Sequence, residues 1–378
     1  MLPRLLRDAS PVCRLMPETH ASAPAPALTW ADPARAQAFA AWLAEVGPRH
    51  GLDAGTVQPA SADASFRRYF RVAAAEGSRI IMDAPPEKED CRPFVAVDRL
   101  LAGGFVGVPA ILEWDEAQGF MLLSDLGQHT LLSTLVTDQP WDAGNRARYR
   151  SATEELVRLQ AVPAARVLPD YDDALLQREM DLFPDWYLTQ LRGLTLDDTQ
   201  RGHLTRIFAT IKTQVLGQAR VLVHRDYHSR NLMADPADPA ARLGVIDFQD
   251  AVHGPITYDL VSLLRDAYVI WDEDVQIDYA VRYWEAARKA GLPVPTDFGD
   301  FWRDFEWMGL QRHLKVLGIF ARLAIRDGKR QYLDDIPRVW TYAHRVAARY
   351  SGLGPLLRLL EQAEAANGGA QTQVGYTF

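Results

Sequence analysis

The sequence predicts an α+β fold of two unequal lobes, the first built on a small antiparallel sheet and the second mainly helical. Three observations predict it. Residues 29–127 contain several short runs rich in β-branched and aromatic residues, whereas apolar residues beyond position 130 recur with helical spacing. Two short apolar runs, at 221–224 and 243–247, interrupt the helical part and enclose a polar stretch. The 378 residues exceed the usual size of one domain, about 100–200 residues, which favours two lobes.

The first lobe opens with a helix and continues as strands. Asp32 followed by proline supplies an N-cap and a first helical residue, and apolar spacing continues to Val46. Residues 74–77 separate two strand-like runs, which is the pattern of a β-hairpin. We expect strands at 65–73, 78–82, 108–114 and 119–124, and a helix at 93–101. In the second lobe we expect helices at 143–159, 175–191 with a break at Pro184, 196–216, and over most of 257–363.

These elements set the expected boundaries. We expect a disordered Ala/Pro-rich tail at 1–28, the small lobe at 29–127, the large lobe at 128–366 and a flexible tail at 367–378. The arginines near the N-terminus are not followed by the apolar segment of a signal peptide, so we assign no targeting role to it.

Composition excludes several classes of protein. A net charge of −8 and a pI of about 5.6 argue against a broad nucleic-acid surface. The two cysteines, Cys13 and Cys91, cannot form a disulfide framework, which suits a reducing compartment. No apolar run approaches the ~18–20 residues that span a bilayer. We expect a cytoplasmic monomer without nucleic-acid or membrane partners.

The most informative stretch is the polar loop between the two short strands. His224, Arg225 and Asp226 are followed by Asn231, and Asp247 comes at the end of the second strand. Phosphoryl transfer needs a carboxylate to orient or deprotonate the attacking hydroxyl, and oxygen ligands for the Mg²⁺ that bridges the nucleotide phosphates. One amide and one carboxylate suffice, because Mg²⁺ retains several waters. This order of residues therefore predicts a phosphotransferase site.

The same residues resemble the aminoglycoside/choline phosphotransferase superfamily, which has a protein-kinase-like bilobal fold. The matching elements are H-R-D-x-x-x-x-N at 224–231, I-D-F at 246–248 and Y-D-L at 258–260. The resemblance implies ATP and Mg²⁺ as cofactors, Asp226 as catalytic base, and Asn231 and Asp247 as magnesium ligands. It also implies that Asp259 supports the catalytic loop internally, and we expect His224 to be a structural residue of that loop.

A closer similarity, to bacterial anomeric sugar kinases, extends over most of the chain. It is carried by SADASFRRYFRV at 61–72, MDAPPEKEDCRPF at 82–94, SDLG at 124–127, IDFQDAVHGPITYDLVSLLRD at 246–266 and QRHLKVLGIFARL at 311–323. The similarity implies phosphorylation of N-acetylmuramate and N-acetylglucosamine, small amino sugars, at the C1 hydroxyl during peptidoglycan recycling. The alternatives are a kinase of the same fold acting on an aminoglycoside, choline or homoserine, a nucleotide-binding pseudokinase, and a metal hydrolase using His224 and His228.

The nucleotide side departs from the kinase pattern. The strand at 79–83 has no lysine, and residues 61–65 stand in place of a glycine-rich loop. Strand alternation places Arg67 and Arg71 on one face and Arg68 on the other, so they cannot all face ATP, and we favour Arg68 or Arg67 as the substitute cation. The candidate nucleotide contacts are Ser61, Ser65, Phe66, Arg67, Arg68, Met82, Ser124, Asp125 and Leu126.

The acceptor is expected on the large lobe, facing Asp226. Residues 177–187 combine charged side chains with aromatic rings, which suits the binding of a sugar. An amphipathic core helix with a solvated face has the same composition. Arg312, His313 or Lys315 could pair with a carboxylate on the acceptor, or simply form a hydrated helix face. The candidate acceptor contacts are Arg178, Glu179, His228, Arg312 and His313.

Overall fold

An antiparallel sheet with helices on both faces forms the small lobe. The computed structural model describes residues 28–62 and 66–366, without the side chains of 61 and 62. Within these residues five strands pair in the order β1-β2-β3-β5-β4. The small-lobe elements are α1 (Pro33–His50), β1 (Leu52–Ala62), β2 (Arg68–Ala74), β3 (Ser78–Asp83), α2 (Arg92–Gly103), β4 (Ile111–Asp115) and β5 (Phe120–Ser124).

Alternation along the strands separates two cores. Successive side chains point to opposite faces of a sheet. On one face, Ile81 and Leu122 pack with Phe39 and Trp42 of α1. On the other, Met82 and its neighbours pack with α2 and join the core of the large lobe. The second face is therefore the one that looks toward the cleft between the lobes.

The large lobe is mainly helical and is organised around one long helix. That helix, α9 (Phe298–Ile325), is buried along most of its length and packs against α5, α6, α7 and α10. The other helical elements of the large lobe are α3 (Leu131–Thr134), α4 (Ala143–Gln160), α5 (Asp173–Leu182), a π-helix (Phe183–Leu191), α6 (Asp198–Leu216), α7 (Tyr258–Leu264), α8 (Glu273–Lys289), a 3-10 turn (Arg330–Asp335), α10 (Ile336–Arg349), a second 3-10 turn (Ser351–Leu353) and α11 (Gly354–Ala366). None of the helices in the described part of the chain combines the length and hydropathy needed to cross a membrane.

Two pairs of short antiparallel strands in the large lobe frame the polar loop. The strands β6 (Arg220–Val223) and β9 (Val252–Pro255) pair antiparallel, as do β7 (Leu232–Met233) and β8 (Gly244–Val245). The segments 224–231 and 246–251 are the connections between these pairs. Each connection is therefore held at both ends by a strand.

Several elements differ from their predicted bounds. Strand β1 was not predicted, because it contains Gly55 and Pro59 and has irregular register against β2, which an edge strand tolerates. The helix break expected at Pro184 is a change to π-helical hydrogen bonding from Phe183 onward. The strand expected at 243–247 stops at Val245, since Asp247 has a left-handed backbone with φ of 66°. Residues 1–27 and 367–378, expected as tails, lie outside the described residues, and Leu28 packs on the small-lobe core.

Candidate active site

Two buried carboxylates hold the polar loop at both of its ends. Asp259 accepts the backbone N–H groups of His224 at 2.7 Å and Arg225 at 3.0 Å. Asp266 accepts the backbone N–H of Ser229 at 2.9 Å and its hydroxyl at 2.5 Å. Both carboxylates are at most 1% exposed. The contribution of Asp266 was missed from sequence, although its segment was part of the recognised similarity.

The ring of His224 lies inside the loop that it begins. Its Nε2 is 3.0 Å from the carbonyl of Ile246, and its Nδ1 accepts the backbone N–H of Asp226 at 3.2 Å. Both ring nitrogens are therefore engaged, which leaves no lone pair for a zinc ion shared with His228. Within the described residues no group of three or more histidine, cysteine or carboxylate side chains is arranged for a metal.

The backbone of the site is strained at two positions. Arg225 has φ of 77° and Asp247 has φ of 66°, a region that costs a side-chain-bearing residue about 1–3 kcal/mol. The carbonyl of Arg225 accepts Arg312 Nη1 at 2.9 Å, and its guanidinium donates to Glu179 at 2.6 Å. These contacts stabilise the strained conformation.

Asp226 reaches the cleft beside positive charge. Its side chain is 43% exposed, and its carboxylate lies 3.6 Å from Nη2 of Arg312. Burial alone would raise the pKa of Asp226, but the charges of Arg312 and Lys315 outweigh it and hold this pKa below its ordinary value. The carboxylate is thus an ionised, partly accessible acceptor of a proton.

The side chains of Asn231 and Asp247 are hydrogen-bonded to each other. Asn231 Nδ2 donates to the backbone carbonyl of Asp226 and to Oδ2 of Asp247, each at 3.1 Å. Gln249 Nε2 donates to Oδ1 of Asp247 at 2.8 Å, while its buried Oε1 has no hydrogen-bond partner among the described residues. The Asn231 carbonyl and the Asp247 carboxylate are hard oxygen donors, and the orphaned Gln249 oxygen suits a water bound to a cation.

A cavity of about 800 Å³ opens in front of these residues. The side chains and segments that line it include Tyr69, Arg71, Ile80 and Leu123 of the small lobe, the linker 124–128, and His228, Arg230, Asn231, Met233, Ile246 and Asp247 of the large lobe. The lining includes apolar side chains and the linker, which suit a purine ring, and it also includes the Asn231–Asp247 pair. The shape and chemistry fit a nucleotide whose phosphates point toward Asp226.

The predicted nucleotide contacts divide into three groups. Ser124, Asp125 and Leu126 line the cavity, and Met82 is buried on the cleft face of the sheet. Phe66 and Arg67 lie immediately before β2, where Glu89 contacts both. Ser65 lies outside the described residues, and the side chain of Ser61 is likewise not described.

Arg68, one of the two arginines expected from sequence to replace the lysine, does not lie in the cleft. Its guanidinium pairs with the fully buried Asp83 and lies 4.0 Å from the ring centre of Trp30, on the face covered by α1. Arg71 does reach the cavity, but it binds Asp125 and the carbonyl of Gly127. Successive side chains of a strand alternate between its two faces. Arg68 therefore lies on the face opposite to positions 67, 69 and 71, which face the cleft.

Of the predicted acceptor contacts, some lie near Asp226 or the cavity and others lie elsewhere. Arg312 lies beside Asp226 and His228 lines the cavity, with its ring packed edge-on against Tyr268 at 5.3 Å. Arg178 is exposed on α5. His313 is 2% exposed in the core and stacks on Tyr342, so it is a core residue.

Glu179, which the sequence predicts as an acceptor contact, is a buried carboxylate that is hydrogen-bonded to several protein groups. It is 5% exposed and accepts four donors, Tyr171 Oη at 2.5 Å, Arg225 at 2.6 Å, Lys315 Nζ at 2.9 Å and Gln311 Nε2 at 3.1 Å. Burial alone would raise the pKa of Glu179, but Lys315 and Arg225 lower it to about 2. Its oxygens are saturated by protein donors and are not available to an acceptor.

Comparison with known proteins agrees with this geometry. Residues 56–298 match the model of the phosphotransferase enzyme family. The N-acetylmuramate/N-acetylglucosamine kinase of Neisseria meningitidis serogroup B is 45% identical over 338 residues, covering 89% of this chain and 97% of the relative. The kinase of the same name from Pseudomonas aeruginosa is 46% identical over 336 residues, covering 87% and 97%.

Solved structures show the same fold at low identity. The GDP complex of wild-type aminoglycoside 2'-phosphotransferase-IIIa has a TM-score of 0.53 at 17% identity, covering 88% of this chain and 99% of that one. A choline/ethanolamine kinase family protein from Mesorhizobium loti has a TM-score of 0.57 at 15% identity, covering 86% and 99%. The kinase-like bilobal fold predicted from sequence is confirmed. The chain is a phosphotransferase that belongs to the phosphotransferase enzyme family and, within it, to the N-acetylmuramate/N-acetylglucosamine kinases.

Proposed function

We propose that this protein transfers the γ-phosphoryl group of ATP to the C1 hydroxyl of N-acetylmuramate and N-acetylglucosamine. The observation that carries the proposal is the hydrogen-bonded arrangement of Asp226, Asn231 and Asp247, of which Asn231 and Asp247 line the cavity. The relatives that share 45–46% identity over nearly their whole length bear the names of kinases for these two sugars. We further propose that the protein acts as a cytoplasmic monomer in the reuse of cell-wall sugars.

Asp226 serves as the base in this proposal. Its carboxylate is ionised and partly exposed, so it can orient the acceptor hydroxyl and take its proton as the new O–P bond forms. An anomeric hydroxyl is more acidic than an ordinary alcohol, so a weakly basic carboxylate is chemically adequate. The buried contacts of Asp259 and Asp266 keep Asp226 at one place relative to the phosphates.

Asn231 and Asp247 are the residues that would hold Mg²⁺. Bound magnesium would neutralise charge on the β- and γ-phosphates during transfer. The Nδ2 of Asn231 is engaged by Asp226 and Asp247, which leaves its carbonyl oxygen as the donor to a cation. Gln249 holds the Asp247 carboxylate from the other side.

The acceptor side of the proposal rests on Arg312 and His228. Both lie close to Asp226, where the acceptor hydroxyl must be placed. A guanidinium next to the base favours an acceptor that carries a carboxylate, as N-acetylmuramate does. It disfavours a polycationic acceptor such as an aminoglycoside, which would need a set of free carboxylates.

The test is ATP consumption by the purified protein with magnesium and a panel of acceptors. The panel holds N-acetylmuramate, N-acetylglucosamine, glucose, kanamycin and choline, and phosphorus NMR identifies any product. A sugar 1-phosphate from both N-acetyl sugars is the expected result. Turnover of kanamycin or choline alone would move the proposal to another acceptor, and nucleotide binding without turnover of any acceptor would favour a pseudokinase.

A further inference from the structure

The small lobe lacks the lysine with which kinases usually bind the donor phosphates. On β3, the positions that face the cleft are Ile80, which lines the cavity, and Met82, which is fully buried. Neither can bind an anion. A small-lobe cation for the phosphates would therefore come from another segment, and three arginines lie within the five positions 67–71, at and just before the start of β2.

Two of the three arginines are held elsewhere. Arg68 lies on the far face of the sheet, where it shares the buried carboxylate of Asp83 with Arg35. Arg71 forms a two-point ion pair with Asp125, at 2.5 and 3.0 Å, and also donates to the carbonyl of Gly127 at 2.8 Å. That pair lies at the linker, where the base of a nucleotide would bind, and not at its phosphates.

Arg67 immediately precedes β2 and lies on the same face as Tyr69 and Arg71, which line the cavity. Burial would lower the pKa of the Arg67 guanidinium, but nearby Tyr69, Glu89 and Asp247 raise it. Its side chain is 9% exposed, and Glu89 pairs with it at 3.4 Å. Glu89 also accepts the backbone N–H of Phe66 at 3.2 Å, so one carboxylate positions both the side chain and the start of β2.

We propose that Arg67, positioned by Glu89, binds the β- and γ-phosphates of the nucleotide donor in place of the strand lysine. The inference rests on the proposed function and adds the residue that recognises the phosphates. Arg67 is on the side of the sheet that carries the cavity-lining Tyr69 and Arg71, and Asp247, which also lines the cavity, would hold magnesium for the same phosphates. A guanidinium can bind two phosphate oxygens at once, which an ammonium cannot do with the same geometry. The Arg67–Glu89 pair would then have the function that a strand lysine and a helix glutamate have in other kinases, which is to bind the donor phosphates with a positioned cation.

The test is calorimetric binding of adenosine, AMP and ADP to the full chain, in EDTA so that metal binding does not contribute. For Arg67→Gln we expect ADP affinity to fall by about tenfold or more, a size typical of a lost charge-assisted hydrogen bond. Adenosine affinity should stay within about twofold, because the base and ribose are bound elsewhere. Arg67→Lys should lose less ADP affinity than Arg67→Gln, since it keeps the charge.

Matched variants separate this role from net charge and from metal binding. Arg68→Gln removes the same charge one position away on the opposite face, and should leave ADP affinity in EDTA unchanged. Glu89→Gln should weaken ADP binding less than Arg67→Gln, because the guanidinium stays but is no longer held. Asp247→Asn should weaken ADP binding with magnesium and have little effect in EDTA.

Each contrary result has a distinct meaning. Equal ADP affinity for Arg67→Gln and wild type, both folded by thermal melting, overturns the Arg67 assignment and leaves the kinase proposal intact. An equal loss for adenosine and ADP overturns it as well, because the effect would not involve phosphate. Failure of the wild type to bind ADP in the presence of magnesium would instead contradict the proposed function.

Discussion

Asp266 binds Ser229 twice, through the backbone N–H at 2.9 Å and through the hydroxyl at 2.5 Å. Asp259 binds the opposite end of the same loop through His224 and Arg225. The polar loop is thus held by two carboxylates that lie 34 to 37 positions after the residues they bind. Neither carboxylate lines the cavity, so we expect both to influence Asp226 through the loop backbone that they bind.

We expect Asp266→Ala to lower kcat by up to about a hundredfold while ADP affinity changes little, since a displacement of 1 Å at a reacting group can cost that much. The variant leaves two buried donors of Ser229 without an acceptor, so the melting temperature should also fall. Ser229→Ala removes one donor and should show a smaller effect on both quantities. Steady-state kinetics and calorimetry check this, and an unchanged kcat in a folded variant would contradict the positioning role.

Asp226→Asn should abolish turnover while retaining the nucleotide. A general base contributes about 10²–10⁴-fold, and the amide cannot accept the proton of the acceptor hydroxyl. Because the cavity that suits the nucleotide is lined by other residues, the dissociation constant of ADP with magnesium should stay within a few-fold. Single-turnover kinetics with N-acetylmuramate measure the effect. Substantial remaining activity would show that Asp226 is not the base.

Glu179 offers a test of structural against substrate-binding roles. Replacing it with Gln leaves the cations of Lys315 and Arg225 in a buried site without their carboxylate, which typically costs about 3–5 kcal/mol. We expect urea denaturation to show this loss, and the double variant Glu179→Gln/Lys315→Met to recover part of it. An increased acceptor KM without any loss of stability would instead identify Glu179 as an acceptor contact.

The carboxyl of Asp98 on α2 should make stability depend on pH. It is 4% exposed, its Oδ2 has no hydrogen-bond partner among the described residues, and burial raises its pKa to about 7. The unfolded chain releases this proton near pH 4, so the folded state binds more protons between about pH 4 and 7. The contribution of Asp98 to stability is therefore full below about pH 4 and is lost as the pH rises through 7.

Asp98→Asn removes this titration. We expect the variant to gain stability relative to wild type by a few kcal/mol at most between pH 5 and pH 8. Urea denaturation of both proteins at pH 5, 6, 7 and 8 measures the difference. A difference that stays constant over this range would show that Asp98 is ionised throughout.

Much of the active site could be predicted from sequence because its residues are close along the chain. Asp226, Asn231 and Asp247 lie within a stretch of 22 residues on two adjacent connections, so the residue types and their order already indicate their chemistry. The family and the bilobal fold were predicted from the same motifs and are confirmed by the comparisons. The alternation of Arg67, Arg68 and Arg71 was also correct, because pleating is a local property of a strand.

What the tertiary structure decided is which side of each element faces the cleft. Alternation separates Arg67 from Arg68, but only the packing of α1 on Phe70 and Ile81 shows that Arg68 is on the face away from the nucleotide cavity. Glu179 and His313 have the polar character of site residues, yet long-range packing buries one under Lys315 and the other against Tyr342. Local propensity and spacing determine residue chemistry and strand phase, whereas contacts between distant segments determine burial and partners. The sequence alone therefore determined the family and the order of the three proposed catalytic residues, and the fold selected the residues that surround them.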